Sequence, residues 1–154
     1  MPDLSFTQAR ADDRALITAV LHRYAHTARD KMDFDDMLPL FADDARVLLP
    51  DGTPVPATSL SDVLRGEEAA YIRHHLTTID IVFDGDGTAR TEAAFLAVTD
   101  EAAPDHWGCW RDVFTRQADG RWLISERAIV VDGGAPEGWF HRRYLGAAGD
   151  SGRR

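Results

Sequence analysis

The chemistry available to this sequence rests on six histidines, an acid standing alone between two helical stretches, and an arginine set among apolar strand residues. His75 lies in RHHLTTIDIVF. Alternation groups it with Thr77, Ile79, Ile81 and Phe83, predicts an inward side chain, and turns His74 the other way. Imidazole takes up a proton near neutral pH, and a carboxylate on its second nitrogen fixes the tautomer and raises the basicity. Asp30 stands just past the leading helix, where such a carboxylate could be supplied. The same residues have plainer readings: Asp30 as a solvated boundary acid, His75 as a hydrogen-bonded core residue.

Five other positions belong to the same inventory. Arg127, in WLISERAIV, alternates with Ser125, Ile129 and Val131. A guanidinium among such neighbours requires a partner, either a carboxylate (Asp112, Glu92 or Asp30) or a substrate oxygen or leaving group. Tyr24 lies on the apolar stripe of the first helix and serves as core or as a hydrogen-bond donor to substrate. His106 and Trp110 share one strand face, and Phe95 belongs to the preceding strand. Two such aromatic walls suit a flat or polycyclic ligand, and equally an ordinary core. His22 and His26 have the i, i+4 spacing of metal ligands, but they lie opposite the apolar stripe and outside any HExxH pattern, so no metal is assigned. The sequence contains no GxSxG, no P-loop and no GxGxxG opening a helix. Cys109 falls on the face opposite Trp110 and reads as filler.

The elements that must position these residues follow from periodicity. Residues 5–28 read as a helix with Ile17, Val20, Leu21, Tyr24 and Ala28 on one face. A short helix is predicted from Asp33 to about Phe41, strained by Pro39. A strand over 45–49, a Pro- and Gly-rich loop, and a helix over 60–72 interrupted at Gly66 come next. Four long strands complete the pattern, over 73–83, 89–99, 106–117 and 121–132. Helices followed by strands indicate an α+β fold in one domain, residues 1–145, with a disordered tail over 146–154. Trp139, Phe140 and Tyr144 are too apolar for a free tail and are expected to dock. The formal charge of −9, from 26 acidic and 17 Lys and Arg residues, argues against nucleic acid or an anionic membrane as partner. One cysteine, a charged N-terminus and no apolar run of bilayer length fit a soluble, cytoplasmic protein.

Four segments, 23–45, 74–78, 108–116 and 120–129, resemble in order and spacing the SnoaL-like branch of the nuclear-transport-factor-2-like superfamily. The resemblance implies a cone-shaped α+β barrel, with a strongly curved antiparallel sheet around the N-terminal helices and a deep apolar pocket. In the dehydratase-like members an acid after the first helix pairs with a histidine on the first long strand; the matching residues are Asp30 and His75. Members commonly show Tyr-x4-Asp, whereas here the spacing from Tyr24 is Tyr-x5-Asp, and counting back from Asp33 and Phe34 selects Asp30 over Arg29. What is then implied is a cofactor-free lyase or isomerase acting on a small, largely apolar cyclic or aromatic compound. His75 is the base and Asp30 orients it; Tyr24, Arg127, Trp110, Phe95 and His106 contact substrate. A homodimer through the open sheet face is expected on the same ground. Polyketide-type ring closure, a non-catalytic binding or dimerisation domain, and a dioxygenase small subunit are alternatives that the fold also hosts.

Overall fold

A computed structural model describes residues 10–27 and 34–146. Helix α1, Ala11–Thr27, starts with Asp12 and Asp13, whose charges complement the helix N-terminus. It buries Ile17, Leu21, Tyr24 and Ala25. Phe34–Leu40 forms a 3₁₀ segment rather than an α-helix, and it contains Pro39. Asp33, its expected cap, lies outside the described residues, as does the Asp30 carboxylate.

Six strands form one sheet: β1 Phe41–Leu48, β2 Pro54–Pro56, β3 Ile72–Phe83, β4 Thr88–Thr99, β5 His106–Arg116 and β6 Trp122–Gly134. Their order is β2-β1-β6-β5-β4-β3. All neighbours are antiparallel except β1 and β6, which are parallel. The α+β class and the meander stand as expected, but β2 and β3 are free edges, so the sheet is open rather than a closed barrel. Three boundaries are corrected. The Pro-rich loop contains edge strand β2, which pairs with β1. Strand β1 begins at Phe41, four residues early. The expected 60–72 helix shrinks to α2, Leu60–Leu64, because the chain turns away at Arg65, with an extended ψ of 124°, followed by Gly66 with a left-handed φ of 85°.

Helix α1 touches both β3 at the sheet edge and β6 near its middle, so the sheet curves round it. Trp122 Nε1 donates to Asp13 Oδ1 at 2.8 Å, and the Arg10 guanidinium lies 4.2 Å over the Phe83 ring. These contacts pin the start of the helix to two strands. At its other end Tyr24 meets Trp110 and Phe41 edge to face.

Two bulges set which residues face α1. In β3, Leu76 pairs with Phe95 and Ile79 with Ala93, so Thr77 and Thr78 together oppose Ala94. One extra residue reverses the alternation. Ile72, His74 and Leu76 face inward on one side of it, and Ile79, Ile81 and Phe83 on the other, while Arg73, His75 and Thr77 are exposed. In β6, Ser125 is the extra residue between Ile124 and Glu126. Trp122 and Ile124 on one side, and Arg127 on the other, are therefore all buried.

Arg127 is the bulkiest charged side chain fully buried among the described residues. It sits directly across from Asp112, donating from Nε to Oδ1 at 2.8 Å and from Nη2 to Oδ2 at 2.7 Å. Both side chains are fully buried. Removing one partner strands the other charge in a low-dielectric site. Asp112→Ala is expected to cost about 3–5 kcal/mol in urea denaturation. The paired replacement Arg127→Met with Asp112→Leu recovers most of that loss.

Candidate active site

Between α1 and the inner face of the sheet lies a hollow of about 70 Å³. Tyr24 reaches it from α1, His74 from β3, Phe95 from β4, His106 and Trp110 from β5, and Ile129 from β6. Trp139, Phe140 and Tyr144, from the docked C-terminal segment, close one side. A broader concavity of about 630 Å³ lies on the outer face, but it is open, and its charges include the mutually paired Glu92 and Arg111. The convergent aromatic and ionisable groups are in the inner hollow, which is the better place for chemistry.

His74, not His75, supplies the β3 imidazole. The parity of the strand counted back from Ile79 selects His75, and the extra residue at Thr77–Thr78 overturns it. His75 instead borders a shallow surface concavity with His22, Ala25, His26 and Arg73, which His74 also borders. The His74 ring packs against Phe95, Trp110 and His106, with centroids 5.3, 5.0 and 6.0 Å away. Its Nδ1 is buried and has no hydrogen-bond partner among the described residues. Burial, followed by the positive potential of His106, Arg127 and His75, pushes its pKa down to about 3.

Arg127 lies 4.0 Å from the Tyr24 ring centre and 4.3 Å from that of Trp110, a guanidinium against an edge-to-face aromatic pair. Burial opposes its charge, but the Asp112 carboxylate outweighs burial and raises its pKa. With Nε and Nη2 on Asp112, its Nη1 is buried without a partner among the described residues. Burial likewise raises the Tyr24 pKa, against the pull of Arg127, so the phenol remains protonated. Tyr24, Phe95, Trp110 and His106 all line the hollow, and Arg127 is committed to Asp112, one of the three carboxylates named for it. Asp105, whose Oδ1 lies 2.8 Å from His106 Nδ1, carries no signal in the sequence, because nothing in EAAPDH separates it from an ordinary loop acid. Among the described residues no group of three or more His, Cys, Asp or Glu is arranged to hold a metal ion.

His74 links this site to acid stability. In the unfolded chain the imidazole titrates near its ordinary 6.5, and in the fold near about 3. Between those values the unfolded state binds more protons, so stability is full above the upper value and is lost as pH falls toward the lower one. His106 is shifted in the same direction by burial. The wild-type melting temperature is therefore expected to fall on acidification from about pH 7 to about pH 4, and His74→Phe to fall less. Circular-dichroism melts across that range read the difference.

Comparison with known proteins places this geometry. No curated protein matches the sequence significantly. The hexachlorocyclohexane dehydrochlorinase LinA-type3 from Novosphingobium barchaimii LL02 superposes with a TM-score of 0.70 at 15% identity, covering 82% of this chain and 90% of that one. A putative scytalone dehydratase from Novosphingobium aromaticivorans DSM 12444 gives 0.64 at 20% identity, covering 88% and 91%. A protein of unknown function with a cystatin-like fold from Nostoc punctiforme PCC 73102 gives 0.68 at 21% identity, covering 82% and 96%. At these identities the likeness is one of fold. The family model for the SnoaL-like domain matches residues 9–128, and the chain belongs to that family.

Proposed function

We propose that this domain is a cofactor-independent lyase or isomerase of small, largely apolar cyclic or aromatic compounds, with His74 as its proton-transferring group. The observation that carries this reading is an imidazole inside an aromatic hollow, with one ring nitrogen unpartnered among the described residues. Alone, an imidazole titrating near about 3 is a feeble base at neutral pH. With substrate bound, a carboxylate on Nδ1 would restore its basicity, and Asp30, just beyond α1, is the acid we assign to that role. His74 then removes a proton next to a carbonyl or aromatic ring, and hydroxide or halide leaves from the adjacent carbon; returning the proton elsewhere makes the same group an isomerase. Tyr24 and Arg127 Nη1 polarise the substrate, and Phe95 and Trp110 flank it. The dehydrochlorinase and dehydratase folds above support elimination over ring closure.

The hollow holds only about two waters' volume as it stands. A ring-sized substrate therefore enters by displacing lining groups, for which the C-terminal wall of Trp139, Phe140 and Tyr144 is the natural place. The single cysteine is consistent with a reducing cytoplasm, and no helix among the described residues is long and apolar enough to cross a membrane.

A panel of hydroxylated and halogenated cyclic compounds, scored for loss of water or halide and for double-bond migration, tests the reading. His74→Gln and Asp30→Asn are expected to lower kcat/KM by about 10²–10⁴, while His75→Ala changes little. Turnover undiminished in His74→Gln would remove the mechanism. Tight binding without turnover would leave a binding domain.

One further feature favours self-association. Leu48, Val82, Leu96 and Trp107 are exposed on the outer sheet face, among alternating charges that can pair with a second copy. Light scattering is expected to report a dimer, and Leu96→Lys with Trp107→Lys a monomer.

A further inference from the structure

A second carboxylate and imidazole meet at the wall of the hollow, Asp105 and His106. Asp105 is fully buried. Its Oδ1 accepts from His106 Nδ1 at 2.8 Å and from the Phe140 backbone N–H at 3.1 Å. Its Oδ2 accepts from the Trp139 backbone N–H at 2.6 Å and from Thr99 Oγ1 at 2.8 Å. Gly138 makes this approach possible, since a Cβ there would lie 2.6 Å from Oδ2. Every contact is a donor aimed at the carboxylate. Burial alone would raise its pKa, but the His106, Phe140, Thr99 and Trp139 donors outweigh burial and hold it below the ordinary carboxylate value.

An ionised carboxylate only accepts, so Nδ1 of His106 must carry the hydrogen. Neutral imidazole has one N–H, and Nε2 is therefore left with its lone pair. The ring is held in place by stacking on Phe140, with centroids 5.0 Å apart. Among the described residues the bond to Asp105 is the hydrogen bond His106 makes, and its ring lines the hollow. His74 is 6.0 Å away by centroid and has no carboxylate among the described residues.

We propose that Asp105 and His106 form an acid–base couple in this hollow, in which Asp105 positions His106 so that Nε2 accepts the proton of a phenolic or enolic hydroxyl on the bound ligand. The O–H bond breaks, the proton bonds to Nε2, and the electron pair remains on oxygen as a phenolate or enolate. The imidazolium keeps its Nδ1–H on Asp105, and that carboxylate balances the charge just formed. The aromatic walls Phe95, Trp110 and Trp139 accept the ring, and the couple reads its hydroxyl. The other ionisable groups lining the hollow are His74 from β3, Tyr24 from α1 and Tyr144 from the C-terminal segment, and the buried Arg127–Asp112 pair of β6 and β5 packs against its Tyr24 and Trp110 walls. The buried guanidinium adds a positive field that favours the anion and disfavours a second protonated histidine.

This inference shares with the proposed function only the premise that the hollow admits a ligand. Long-range ¹H–¹⁵N spectra of the full-length wild type read the tautomer without any substitution. His106 is expected with hydrogen on Nδ1, and hydrogen on Nε2 would overturn the couple. The second probe is 4-nitrophenol, whose visible absorption distinguishes phenol from phenolate. Wild type is expected to ionise it on binding. In His106→Gln, which keeps a polar side chain but cannot hold the proton, the ionised fraction drops about tenfold or more. Asp105→Asn is expected to lose the Nδ1–H tautomer and the ionisation together. Thr99→Val, which removes a different donor to Asp105, is the control for a merely structural carboxylate and is expected to keep both. Failure of the wild type to ionise the probe, or equal ionisation in His106→Gln, overturns the proposal. Loss of turnover in His74→Gln alongside either result leaves the lyase standing without the couple, and the opposite pattern leaves the couple without the lyase.

Discussion

A guanidinium buried in the middle of a sheet constrains everything packed around it. Arg127 is satisfied on two nitrogens by Asp112 directly across the strand pair, and its guanidinium packs against the edge-to-face pair of Tyr24 and Trp110. The end of α1, the centre of β5 and the centre of β6 therefore share one charge. Helix and sheet cannot slide past one another there without exposing a paired ion to an apolar surface. The hollow lies next to this fixed point, and its aromatic walls are the rings that the guanidinium holds.

Single inserted residues decide which side chains enter that hollow. Thr78 beside Thr77 shifts one half of β3 by one residue, and the inner face acquires His74 in place of His75. Ser125 does the same in β6, which allows two large apolar side chains and an arginine to face the core from one strand. A sheet that curves round a helix gains the bend from such irregularities. Curvature and histidine placement are thus one event in this fold.

Polar groups inside the hollow are satisfied to different degrees, and the difference has chemical meaning. Asp105 ties β4, β5 and the C-terminal segment together with four donors, and His106 inherits a defined tautomer from it. His74, a ring's width away, is held neutral by burial and lacks such a tether among the described residues. Two imidazoles in one small space, one ordered by an anion and one not, will differ in basicity. That asymmetry allows one group to take a proton while the other remains neutral.

The sequence by itself determined the architecture. The stripe Ile17, Leu21, Tyr24 specified α1, and the turn residues DGDG at 84–87 and ADG at 118–120 placed the β3–β4 and β5–β6 hairpins. The alternation of Ala89, Thr91, Ala93, Phe95 and Ala97 gave β4 its inner face, because local periodicity and turn chemistry act over a few residues. The inward faces of Tyr24, Phe95, His106 and Trp110 were legible too, since the helical period of α1 and the alternation of β4 and β5 run unbroken across those positions. Only the tertiary structure decided between His74 and His75, because a bulge belongs to a pair of strands and cannot be read from one. Only it joined Arg127 to Asp112 and Asp105 to His106, Trp139 and Phe140, because those bonds exist where curvature brings distant backbone together. Strand parity is a local property; the register that gives it an inside and an outside is set by the neighbour.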